Sequence, residues 1–289
     1  MEYTIENGAL TVTAEALGAQ LKEVRGADGT QYLWPGQADI WEDRAPVLFP
    51  YVARLTGGAY TYRGQRYSLP IHGFAASTRF ACEKTGDELR FTICDTPETL
   101  ACYPFPFRFT VAYRLAGNTL TQAYTVENTG EEAMYFGLGA HPGFRVPLEK
   151  GLDFADYFLE FDPDVAPVRV GFTPQCFLSG EDTPYPLEQG RLPLRHDLFD
   201  QDAIVLYRCG SRVALRSEKG KRAIKADFTG IPYLGLWHQP RMEAPYLCLE
   251  PWCSLPSRQD VVEDLATQPT LLRLPAGERY EVAVRFTFE

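Results

Sequence analysis

Between residues 107 and 115 the chain alternates strictly: Phe107, Phe109, Val111, Tyr113 and Leu115 are separated by Arg108, Thr110, Ala112 and Arg114. A period of two is the signature of a strand with one buried and one wet face, and a one-residue slip would exchange the faces. Gly117-Asn118 then turns the chain into Leu120, Gln122, Tyr124 and Val126, which continue the pattern as an antiparallel partner. The same grammar opens and closes the sequence. Tyr3 and Ile5 lead through Asn7-Gly8, a pair suited to positive φ, into Leu10 and Val12. Pro275-Ala276-Gly277 precedes Tyr280, Val282, Val284, Phe286 and Phe288, alternating with Glu281, Ala283, Arg285 and Thr287. Helical periodicity is scarce; its best instance predicts a short helix after Ser257, through Val261, Val262 and Leu265, with Ser257 as the cap. The 22 prolines and 24 glycines are dispersed, so no linker divides the chain. An all-β fold of antiparallel sheets, built as a single domain over 1–289, is expected.

Composition narrows the partners. Apolar residues make up 45% and charged ones 23%, enough to build a substantial core. The net charge of −10, without a basic stripe, gives no footprint for nucleic acid and repels an acidic membrane. The opening Met1-Glu2-Tyr3-Thr4-Ile5-Glu6 is acidic where a secretory signal would be basic and then apolar, so a cytoplasmic location is expected. Seven scattered cysteines, an odd number without a CxxC pair, fit reduced thiols. Cys248 and Cys253 lack a paired ligand motif and are read as packing residues, so no metal is expected.

Three segments carry residues able to do chemistry. Two of the four histidines sit among glycines with an aromatic close behind, in Pro70-Ile71-His72-Gly73-Phe74 and Gly137-Leu138-Gly139-Ala140-His141-Pro142-Gly143-Phe144. Glycine lets a ligand or a second backbone approach closely, yet a single histidine is as readily structural. The third segment, Tyr246-Leu247-Cys248-Leu249-Glu250-Pro251-Trp252, ends an apolar run on a carboxylate. Burial there would raise the carboxyl pKa towards that of a general base working near neutrality. An edge glutamate paired with an arginine explains the segment equally well.

Together the segments resemble a known family. Trp41-Glu42-Asp43-Arg44-Ala45-Pro46-Val47-Leu48-Phe49-Pro50-Tyr51-Val52-Ala53-Arg54-Leu55, then Tyr67 through Phe74, His141-Pro142-Gly143-Phe144, Leu198-Phe199-Asp200 and Glu250-Pro251-Trp252 follow the order of elements in the aldose 1-epimerase (galactose mutarotase) family. The compact surroundings of both histidines are similar to those of a divergent bacterial branch. The resemblance implies a galactose mutarotase-like β-supersandwich with few short helices, no cofactor, a small-molecule sugar as ligand, and a monomer or homodimer. It also implies Glu250 as general base and His141 as general acid. His72, Arg54 and Asp200 would hold sugar hydroxyls, with the neighbouring Asp202 as the alternative aspartate. Phe74 and Trp252, like Trp237, would offer apolar faces to the ring, against the competing reading that such aromatics build the core. His196 and His238 match no catalytic position and are read as surface or supporting residues.

The chemistry agrees with that assignment. Interconverting anomers requires a proton to leave the anomeric hydroxyl and one to reach the ring oxygen, which a carboxylate and an imidazole can supply without a metal. A glycoside hydrolase using Asp200 and Glu250 would need a carboxyl held protonated at neutral pH, roughly 2–3 units above its usual value, whereas histidine near ~6.5 needs no such help. A non-catalytic sugar-binding protein would need the hydroxyl contacts but not the acid and base together. No arginine or lysine cluster stands ready for a phosphosugar, so neutral hexoses are favoured.

Overall fold

In the computed structural model, which describes residues 1–289, the alternating segments pair as read. Strand Phe107–Ala116 and strand Thr119–Asn128 form an antiparallel hairpin about Gly117, whose φ of 56° lies in the left-handed region. The C-terminal strand Arg279–Phe288 lies along the other edge of Thr119–Asn128, at the centre of a nine-stranded sheet. Glu2–Glu6 and Leu10–Glu15 make the first hairpin, with Asn7 Oδ1 accepting the N–H groups of Ala9 and Leu10 in the turn.

A second, eight-stranded sheet runs through Ile204–Tyr207, Tyr233–Trp237, Tyr246–Trp252, Gly139–Ala140 and Val47–Leu48. Aromatic side chains join the two layers: Phe49, just beyond Val47–Leu48, stacks on Phe109 of the larger sheet at 4.3 Å between ring centroids. The resulting cluster of 65 buried residues extends from Ile5 to Phe288, which makes the architecture the sandwich of antiparallel sheets that the alternation implies.

The helix expected after Ser257 is absent. That stretch pairs irregularly with strand Ala59–Tyr62, Thr61 N–H donating to Glu263 O and Leu265 N–H to Thr61 O, both at 2.8 Å. Ser257 does act as an acceptor, but for the N–H of Thr56 at 2.8 Å, far away in the chain. Tertiary hydrogen bonds have outweighed a weak periodicity. The one α-helix, Pro97–Cys102, starts instead at Thr96, whose side chain accepts from Thr99 N while Thr99 Oγ1 accepts from Thr96 N.

Asn128 fastens the end of the central strand to the C-terminal segment. Its buried Nδ2 lies 2.7, 2.9 and 3.0 Å from the carbonyls of Glu132, Leu274 and Pro275, and its Oδ1 accepts from Gly130 N at 3.0 Å. Asn128→Ala would leave the buried Leu274 carbonyl and the half-buried Gly130 N–H without their partner, and urea unfolding is expected to show a loss of about 2–3 kcal/mol with an unchanged m-value.

Candidate active site

The centre of the site is a consequence of strand register. Strand Tyr246–Trp252 is flanked on one side by Tyr233–Trp237 and on the other by two short strands, Gly139–Ala140 and Gly143–Arg145. Gly139 stands opposite Trp252 and Gly143 opposite Cys248, so residue 141, in the gap between the short strands, falls opposite residue 250. Facing positions on neighbouring strands bring side chains together. His141 Nε2 accordingly lies 3.2 Å from Glu250 Oε2. Pro142, which has no N–H to give a ladder, interrupts the strand at this point, while its carbonyl accepts from Leu249 N at 3.1 Å.

Glycines make room around the pair. Gly235 is the residue facing Glu250 from the opposite side, and a Cβ there would meet Glu250 Cβ at 3.0 Å. At Gly143 a Cβ would strike the Trp41 ring at 2.8 Å. Trp41 therefore lies over the sheet, 5.2 Å from the His141 ring, 5.3 Å from Tyr246 and 5.4 Å from Trp237 by ring centroids, as an aromatic wall.

The second histidine arrives from another direction. His72, with φ of 64°, and Gly73, with φ of 75°, turn tightly across residues 49–53, and a Cβ at Gly73 would meet Phe49 O at 2.3 Å. His72 Nδ1 accepts the Ala53 N–H at 3.1 Å, which leaves Nε2 as the protonated nitrogen of a neutral ring. The His72 and His141 rings stand edge to face at 5.6 Å.

Burial dominates the electrostatics. The Glu250 side chain is 1% exposed and that of His141 12%. Desolvation drives the Glu250 carboxyl well above its ordinary range. The same desolvation, helped by His72, lowers His141 to about 3, and desolvation with the Arg54 charge lowers His72 to about 4. The 3.2 Å separation by itself suggests an ion pair, but neither Glu250 oxygen nor His141 Nδ1 has a hydrogen-bond partner. Unpaired charges in so dry a place are costly, so the resting pair is better described as a neutral acid beside a neutral imidazole, holding one transferable proton between them.

A cavity of about 230 Å³ opens beside the pair. Of the residues picked out in the sequence, Glu250, His141, His72, Arg54 and Trp252 line it, together with Trp237. Asp200 and Phe74 do not. Asp200 ends the short 3-10 turn His196–Phe199, and its charge is felt by His238 rather than in the cavity. The lining aspartate is Asp202, whose Oδ2 accepts the Cys176 thiol proton at 3.0 Å. Phe74 is packed into the core against Phe49, Tyr103 and Phe107, so its ring is a structural element beneath the site. His238 is not a surface residue either: it is fully buried, 3.1 Å from His196, with its Nδ1 2.8 Å from the Gln239 carbonyl. Trp41, Asp43, Cys176 and Gln201 line the cavity although the motif reading had not selected them. Trp41 and Asp43 lie within the Trp41–Leu55 run, whereas Cys176 and Gln201 lie on loops without a local signal.

The shifts at the centre oppose one another in stability. The folded-state values of His141 and His72 lie below 6.5, so their contribution is complete above that pH and is lost as the pH falls towards 4 and 3. The folded-state value of Glu250 is raised, so its contribution is complete below about 4.5 and is lost as the pH rises. Glu250→Gln, which keeps the shape and cannot ionise, is expected to be more stable than the parent protein by about 1–2 kcal/mol at pH 8, with the gain vanishing near pH 4.5. Denaturant melts at the two pH values check this, and a gain that does not depend on pH would remove the buried carboxylate as its source.

The residues 1–287 match the family model described as aldose 1-epimerase. Among curated proteins, the plasmid-encoded protein LacX of Lactococcus lactis is 32% identical, with the match covering 98% of this chain and 99% of the relative. Among solved structures, a galactose mutarotase related enzyme from Lactobacillus acidophilus superposes with a TM-score of 0.96 at 33% identity, over 100% of this chain and 97% of that one. A galactose mutarotase-like protein from Lactobacillus casei does so with a TM-score of 0.95 at 31% identity, over 100% of both chains.

Proposed function

Because the chain belongs to the aldose 1-epimerase family, and is thus an isomerase acting on a sugar, we propose that it interconverts the α and β anomers of a neutral hexose by general acid and base ring opening. Glu250 is the base and His141 the acid. The observation that carries this reading is the 3.2 Å approach of His141 Nε2 to Glu250 Oε2 at the edge of a cavity.

The anomeric hydroxyl and the ring oxygen are bonded to the same carbon, so the groups that serve them must be close neighbours. With one proton on the pair, the ionic form gives the His141 proton to the ring oxygen as the anomeric hydroxyl yields its proton to Glu250. The C1–ring oxygen bond breaks, C1 becomes a carbonyl carbon, and rotation about C1–C2 exposes its other face. Closure runs both transfers backwards. Ring opening leaves Glu250 protonated and His141 neutral, the state that burial favours, so desolvation makes the carboxylate a stronger base and the imidazolium a stronger acid.

Arg54, Asp202 and His72 Nε2–H offer charged and neutral partners for hydroxyl groups, and Trp252, Trp41 and Trp237 offer apolar surface for the ring. The cavity is smaller than the ~300–1,000 Å³ common for drug-sized ligands, in keeping with one ring rather than an oligosaccharide. A hydrolase built on Asp200 and Glu250 loses support because Asp200 does not line the cavity. The seven unpaired cysteines suit a reducing cytoplasm.

Polarimetry of freshly dissolved α-glucose and α-galactose tests the proposal. Glu250→Gln and His141→Asn are each expected to lower kcat by roughly 10²–10⁴-fold, and the double variant little further, because the two act as a unit. Unchanged rates in Glu250→Gln would overturn the assignment. Arg54→Ala and Asp202→Asn are expected to raise KM by roughly tenfold or more with a smaller effect on kcat, as loss of a charge-assisted hydrogen bond predicts.

A further inference from the structure

One group beside the acid and base plays no part in the reaction. Cys248 precedes Glu250 by two residues on the same strand, so its side chain projects from the same face, one row along the sheet. Donor atoms of His141, Cys248 and Glu250 all lie within 4.8 Å of one another, and all three residues are deeply set. Both Glu250 oxygens and His141 Nδ1 are buried without partners. We propose that this trio is a binding site for a thiophilic divalent cation of the zinc and cadmium class, and that the ion excludes the sugar.

The ligand set is one imidazole nitrogen, one thiolate sulfur and one carboxylate oxygen, a combination that suits zinc and its soft relatives but not magnesium or calcium, which prefer oxygen. A tetrahedral ion with bonds of about 2.0–2.3 Å spaces its donors roughly 3.3–3.8 Å apart, so modest side-chain movement closes the site. Charge also balances: thiolate, carboxylate and a divalent ion sum to zero around a neutral imidazole, and the displaced protons leave to solvent. The cavity beside Glu250 leaves the fourth position open to water. Since the ion takes the two groups that would receive the sugar, its binding and sugar binding are mutually exclusive.

The test uses chelator-treated protein and its Cys248→Ser variant. Zinc chloride added to the parent protein is expected to suppress mutarotation at least tenfold, reversibly with EDTA and less effectively at saturating sugar, while magnesium and calcium chloride do nothing. Cys248→Ser should retain the parent rate without zinc and require roughly tenfold or more zinc for the same inhibition. Cadmium should produce a larger ultraviolet thiolate-to-metal absorption in the parent than in Cys248→Ser. Equal inhibition of both proteins, or equal cadmium absorption, would overturn the site. The inhibition arm rests on the mutarotase reading and the absorption arm does not: a parent protein without mutarotase activity would refute that reading while the cadmium band still decides the site. Should Cys248→Ser fold poorly by circular dichroism, Cys248→Ala replaces it under the same criteria.

Discussion

A carboxylic acid held almost wholly out of water, opposite an imidazole on the adjoining segment, is the condition on which the site depends. Glu250 occupies an inner strand of the eight-stranded sheet, so its backbone is fixed from both sides, by the Tyr233–Trp237 strand and by the segment containing His141. The register that places His141 opposite it is held on either side of the proline interruption, at Gly139 and at Gly143. Slipping that register by one residue would turn the imidazole to the other face of the sheet and leave a buried acid with nothing beside it. Gly235 and Gly143 complete the condition by yielding space, the first to the Glu250 side chain and the second to the Trp41 ring that walls the pair.

Much of the fold was legible because alternation is a direct imprint of a half-buried strand. The two long hairpins and the terminal strand appear where the pattern of apolar residues puts them. The misread helix has a physical cause: Val261, Val262 and Leu265 are spaced like a helical stripe, but backbone groups of residues 257–265 are claimed by Arg54 and Thr61 from a distant segment. The real helix carried its own signal, a threonine cap before a proline, in a run too short for periodicity to register.

The site was legible to a different degree. His72, His141, Arg54, Glu250 and Trp252 were singled out by motif and resemblance, and the cavity is lined by all five. Strand register between residues 141 and 250 is long-range information that no local pattern contains. Asp200 and Asp202 show the limit: Phe199 is buried as an anchor, Asp202 takes a left-handed φ of 74°, and of two aspartates separated by a single residue only Asp202 lines the cavity. Phe74 follows the second of the two readings open to it in the sequence, because an aromatic beside a histidine is equally at home in a core that already stacks Phe49 on Phe109.

Different parts of the cavity are made in different ways. His141 and Glu250 lie opposite one another in strand register, where hydrogen-bonded neighbours determine their positions. Arg54, Asp202, Cys176 and Gln201 come from irregular segments, and four lining residues, Ala53, His72, Cys176 and Asp202, have φ values of 58°, 64°, 65° and 74°, a conformation that non-glycine residues adopt only when their surroundings enforce it. At His72 the enforcement is visible, because Ala53 both donates to its ring and accepts from its backbone N–H. Such an arrangement separates two demands on the chain. The approach of His141 to Glu250 is tied to the sheet and changes only with the fold, whereas the lining residues on irregular segments can be exchanged without moving that pair.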